Sequence, residues 1–141
     1  MTNNAEKIVR EFIAEFEKSW PATFDKAMTY LADDASYQMV VPTIDPVTGK
    51  AAILDALETM KQKVAEQKHD MISVAAAGNV VFTERVDHSM RKNEWVQIPL
   101  VAVFELNDDG KIVRWREYLD LFHNMRQHGL SFEDMEKTIR K

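Results

Sequence analysis

The chain has no cysteine, which excludes disulfides and thiolate nucleophiles and leans weakly towards a cytosolic setting. It also lacks an apolar run long enough to span a bilayer, and its N-terminus has no signal-peptide h-region. There is no basic block, and the net charge is −5, so nucleic acid is not an expected partner. Internal repeats, low-complexity tracts and linkers are absent too. What remains is 141 residues, 45% hydrophobic and 29% charged. That is one ordinary domain, residues 1–141, able to bury a real core. A cytoplasmic single-domain protein is the expectation.

The most informative stretch is Val81 to Asp87. Its β-branched and aromatic residues read as a strand, and Gly78-Asn79 before it signals a turn. Strand side chains alternate, so Val81, Thr83, Arg85 and Asp87 share one face, opposite Phe82, Glu84 and Val86. If the first face is the covered one, it carries a cation and a carboxylate two residues apart inside a pocket. A second strand, Lys111 to Leu121, offers Val113, Trp115, Glu117, Leu119 and Leu121 on one face. Glu117 is then an acid among apolar neighbours, which is costly unless a partner or a function retains it.

Along the chain, Asn3 and Asn4 can cap a helix in which Ile8, Phe12, Ile13 and Phe16 recur at helical spacing. Trp20-Pro21 ends it. A short helix is expected over Thr23 to Leu31, broken by Asp33-Asp34. Ala35 to Val41 reads as a strand with Tyr37, Met39 and Val41 on one face, stopped by Pro42. Pro42 to Lys50 is a loop suited to a pocket rim. Lys50 to about Gln67 is helical, its apolar stripe running Ile53, Leu54, Leu57, Met60, Val64. His69 to Ala77 is a small-residue strand, Met90 to Glu94 a hairpin connection, and Trp95 to Leu106 a strand whose Pro99 suggests an edge or bulge. Asn107 to Gly110 is a hairpin turn, and a helix begins near Ser131, capped through Asp134. The order predicts an α+β domain: a curved, mixed, mainly antiparallel sheet with N-terminal helices forming a cone-shaped pocket.

Thr-Glu-Arg-Val-Asp (83–87) and Trp-Arg-Glu-Tyr-Leu-Asp (115–120) resemble the paired signatures of the limonene-1,2-epoxide hydrolase family. Glu-Lys-Ile-Val (6–9), Tyr-Gln (37–38), Gly49 and Val103-Phe104 extend the likeness over most of the chain. That family belongs to the cystatin-like cone superfamily, with the SnoaL-type cyclases and ketosteroid isomerases. The resemblance implies one-step addition of water to a small, mostly apolar epoxide, giving a vicinal diol. Glu117 would be the general base, Asp87 the general acid, Arg85 the cation pairing with both, and Tyr37 a holder of the water. It also implies a homodimer formed through the outer sheet face, where Phe82, Val86, Val101 and Val103 point outwards. The family pattern carries an aspartate at the position of Glu117 and an asparagine at the position of Met39, and a thioether cannot hold water as an amide does.

Met39, Trp115, Leu119, Ile98, Leu100, Met60, Val64, Ile13 and Phe16 are the candidate substrate-lining residues, with plain core packing as the competing reading. Arg85 and Asp87 have two competing readings, a buried structural ion pair or ordinary sheet polarity facing solvent. His69 reads first as a surface or strand-end histidine, with the pocket as its alternative. His88, His123 and His128 form no metal spacing with nearby acids, so neither metal nor cofactor is expected. An isomerase, an epoxide-opening cyclase and a non-catalytic binding domain remain alternatives on the same fold.

Overall fold

The computed structural model describes residues 4–139. Helix α1 (Asn4–Ser19) comes first, then α2 (Asp25–Met28), β1 (Leu31–Gln38), β2 (Val47–Thr48) and α3 (Lys50–Lys61). Strands β3 (Glu66–Ala77), β4 (Val80–Arg91), β5 (Glu94–Leu106) and β6 (Ile112–Leu119) follow, and α4 (Leu121–Arg126) and α5 (Phe132–Ile139) close the chain. One six-stranded sheet has the order β2-β1-β6-β5-β4-β3. β1 runs parallel to β6, and every other pairing is antiparallel. The architecture is the mixed, mainly antiparallel α+β arrangement that the element order predicts.

Helix α1 lies against β3 and β4, while α3 lies against β1 and β2. The apolar side chains of α1 recur every three to four residues, so Val9, Phe12, Ile13 and Phe16 all face inwards and are buried. Phe12 is the centre of this contact. Its ring stands edge-on to Trp115 at 5.2 Å and to Phe104 at 6.1 Å between centroids. Truncating a buried phenylalanine of this kind costs roughly 3–5 kcal/mol.

Several boundaries differ from those the residues suggest. The second helix spans only Asp25–Met28, and Leu31 already belongs to β1. Asp33 and Asp34 do not break the strand. They fall where the β1–β6 register shifts, between Leu31 and Ser36, and their side chains face solvent. β1 ends at Gln38, before Val41, and the 42–50 loop contributes the short strand β2 to the sheet edge. Gly49 stands at the start of α3 with φ 93°, a conformation open to glycine.

Helix α3 stops at Lys61, six residues short of Gln67, because the chain turns to pair with β4. The amide of Ala65 donates to the Met90 carbonyl, and Glu66 opposes Met90. Pro99 sits in an interior strand, yet no β6 residue opposes it: the β5–β6 pairing begins at Leu100–Leu119. Beyond that point Gln127 takes over, its side chain exchanging two hydrogen bonds with the backbone of Gln97. Leu121 opens α4 instead of extending β6, and Asp120 caps that helix by accepting from the amide of His123. Ser131 and Asp134 form the expected cap of α5. Asn3 lies outside the described residues; α1 begins at Asn4.

Candidate active site

The alternation of β4 turns Val81, Thr83 and Arg85 inwards and leaves Phe82 and Glu84 exposed. Sheet register then decides who meets whom. Ala102 of β5 stands between Thr83 and Glu117, while Arg85 opposes Leu100, and Leu100 opposes Leu119. Asp87 lies between His69 on β3 and Ile98 on β5. On the other flank Tyr37 opposes Trp115, and their rings stack at 3.8 Å between centroids. Three strands, β1, β4 and β6, therefore deliver Tyr37, Arg85, Asp87 and Glu117 to one place.

Arg85 is 3% exposed and is fully engaged. Its Nε donates to Asp87 Oδ1 at 2.8 Å and one terminal nitrogen to Asp87 Oδ2 at 3.2 Å. That same nitrogen reaches Glu117 Oε2 at 2.9 Å, and the other donates to Thr83 Oγ1 at 3.0 Å. The Tyr37 hydroxyl donates to Glu117 Oε1 at 3.2 Å. One guanidinium thus bridges two carboxylates, and a phenol holds the second of them.

Burial dominates the proton affinities. It pushes Glu117 from 4.5 up to about 7, opposed by the Arg85 charge and reinforced by Asp87. Tyr37 is raised well above the ordinary tyrosine range, first by burial and then by Glu117 beside it, so it remains a hydrogen-bond donor. Burial alone would lower Arg85, but Asp87 and Glu117 together hold it above its usual value. His69 is lowered, chiefly by burial, and is neutral near pH 7.

This cluster lines a cavity of about 170 Å³ whose remaining walls are largely apolar. Ile13, Phe16, Met39, Met60, Ile98, Leu100, Trp115 and Leu119 all line it, as their residue types and faces suggest. Val64 does not. It left the helix with the early end of α3 and is buried in the core, where its carbonyl accepts from Trp20 Nε1 at 2.9 Å. His69 is not a surface residue. Its side chain is 5% exposed, its Nε2 lies 3.1 Å from Gln67 Oε1 and 3.9 Å from Asp87 Oδ2, and its amide donates to Glu17.

Four polar lining residues escape the sequence reading: Gln67, Ser89, Arg91 and Asn124. The parity of β4 points to Ser89 and Arg91 once the strand is continued past Asp87. Asn124 has no such signal, because the residues between Leu121 and Ser131 carry no clear periodicity and α4 is not expected from them. Among the described residues no group of three histidines or acids is placed to hold a metal ion.

A family model for the limonene-1,2-epoxide hydrolase catalytic domain matches residues 3–129. The chain belongs to the limonene-1,2-epoxide hydrolase family. Epoxide hydrolase EphG of Mycobacterium tuberculosis is 31% identical over 99 residues, which is 70% of this chain and 64% of that protein. The chain therefore spans less than two thirds of that relative's length. A solved structure of an M. tuberculosis epoxide hydrolase, described as limonene-epoxide-hydrolase-like, matches with a TM-score of 0.74 and 27% identity over 87% of each chain. A SnoaL-like protein from Shewanella putrefaciens matches with a TM-score of 0.80 over 93% of this chain and all of that one; its 16% identity speaks to the fold alone. The family thus has the cone fold that the element order predicts. Within this limonene-1,2-epoxide hydrolase family member, the two signature segments are the ones that bring Arg85, Asp87 and Glu117 together.

Proposed function

We propose that the chain is a cofactor-independent epoxide hydrolase that adds water to a small, mostly apolar epoxide in one step. The observation that carries this reading is Arg85 bridging Asp87 and Glu117 at the wall of an apolar cavity. A neutral epoxide reacts slowly with neutral water, so the barrier falls when the nucleophile loses a proton as the leaving oxygen gains one. Glu117, with a proton affinity near pH 7, suits the general base. It takes a proton from water as the water oxygen attacks a ring carbon. Asp87 suits the general acid: the carbon–oxygen bond breaks and the freed oxygen receives the Asp87 proton. The cycle closes when Glu117 returns its proton and Asp87 regains one. Arg85 keeps the acids together, and the Tyr37 hydroxyl orients Glu117 and the attacking water.

Each properly placed acid or base contributes typically 10²–10⁴-fold. Replacing Asp87 by Asn or Glu117 by Gln should therefore abolish diol formation from a panel of small epoxides while circular dichroism stays unchanged. Full turnover in both folded variants would refute the proposal. Met39 favours a second reading. It lines the cavity where the family pattern has an amide, leaving Tyr37 and Glu117 to hold the water. A drier pocket suits an isomerase, or a cyclase that opens the epoxide with the substrate's own hydroxyl. Product lacking oxygen from solvent would favour that reading. A homodimer formed through the outer sheet face, where Phe82, Val101 and Tyr118 are exposed, fits either.

A further inference from the structure

The cavity contains two arginines in different circumstances. Arg85 is satisfied by Thr83, Asp87 and Glu117. Arg91 stands on the same inward-facing parity of β4, four residues beyond Asp87, and also lines the cavity. Among the described residues it has no carboxylate partner, and its buried Nε has no hydrogen bond. Burial lowers its proton affinity with no acid to counter the shift. Ser89, buried two residues before Arg91 on the same face of β4, and Asn124 line the same cavity. Burial first, and then the Arg91 and Lys92 charges, lowers the proton affinity of His128, just past the end of α4.

A buried guanidinium N–H without an acceptor is costly. We propose that Arg91, with the Ser89 hydroxyl on the same face of β4, is a subsite for a carboxylate carried by the substrate, so that the preferred substrates are small epoxy acids. The planar fork of a guanidinium matches a carboxylate in two parallel hydrogen bonds. Because Arg85 is already paired with two acids, Arg91 alone among the described lining residues is left to meet an anion, which fits that monoanion better than a phosphate dianion. Four residues of strand separate Asp87 from Arg91, about 13 Å at the backbone. This spacing suits an epoxide at one end of a short aliphatic chain and a carboxylate at the other. The substrate class rests on the hydrolase reading; the subsite does not.

The test begins with unreactive probes, octanoate and octanamide, titrated calorimetrically into the full chain. Octanoate should bind at least about 10-fold more tightly, the scale of one hydrogen bond to a charged group. Arg91→Leu and Arg91→Gln should remove the difference, while Arg91→Lys keeps part of it. Turnover of 7,8-epoxyoctanoate should exceed that of its methyl ester through a lower KM at similar kcat, and the preference should vanish in Arg91→Gln. Equal binding of the two probes, or a preference that survives in both neutral variants, would overturn the subsite. Octanoate selectivity without turnover of either epoxide would leave the subsite standing and refute the hydrolase reading.

Discussion

Replacing Glu117 by Gln removes a buried ionisable group and little else. The amide can accept from Arg85 with its oxygen and donate to the Tyr37 oxygen with its nitrogen, so the cavity wall keeps its shape. In the folded protein the carboxyl binds its proton up to about pH 7, against an ordinary 4.5. Between these values the folded chain holds a proton that the unfolded chain has released, so stability falls as pH rises. This contribution is fully present below pH 4.5 and gone above about pH 7. At roughly 1.4 kcal/mol per unit, the group costs the wild type about 3 kcal/mol across that window. The variant has no such group. Urea unfolding at pH 4.5, 6 and 7.5 should show Glu117→Gln gaining about 3 kcal/mol on the wild type from the lowest pH to the highest. In a thermal melt this is roughly 10 °C. Diol formation should be lost at every pH. Stability curves for the two proteins that run parallel with pH would refute the assignment of a buried, proton-holding Glu117.

The acid limb of activity should follow the same group: kcat/KM of the wild type rises with pH through about 7 as Glu117 releases its proton. A stopped-time diol assay from pH 5 to 9 checks this, and a profile already flat at pH 5 would contradict it. Phe12→Ala should lower unfolding free energy by roughly 3–5 kcal/mol, because the ring packs against Phe104 and Trp115; urea titration measures it. If the outer sheet face forms a dimer, Phe82→Glu should shift sedimentation to the monomer while leaving the fold intact, since Phe82 is 43% exposed.

The parts of the site that follow strand parity were legible in the residues themselves. Arg85 and Asp87 lie two apart on a strongly β-forming stretch, so their common face needed no structure to find. Glu117 stood out as an acid in an apolar alternation. Their bonding was not legible, because it depends on sheet register: Ala102 aligns Thr83 with Glu117, and β1 brings Tyr37 beside Trp115. A one-residue slip would send each side chain to the other face.

His69 was hidden for a different reason. Helical periodicity carried α3 on through Val64 to Gln67, which made His69 a strand start. In the fold, pairing with β4 ends the helix early and sets His69 directly opposite Asp87. Asp33-Asp34 and Pro99 each looked like punctuation. The first sits at a shift in register with its side chains in water, and the second lies beyond the end of β6, so neither breaks its strand.

The most direct test of one-step water addition is a single turnover in ¹⁸O-water, with protein in excess over a small epoxide such as limonene oxide. Direct attack by a water activated by Glu117 gives diol carrying one solvent oxygen in the first turnover, with no label in the protein. Unlabelled first-turnover diol would mean that a carboxylate had attacked the epoxide. Product without a solvent oxygen would mean that no water was added. Either result would contradict the mechanism.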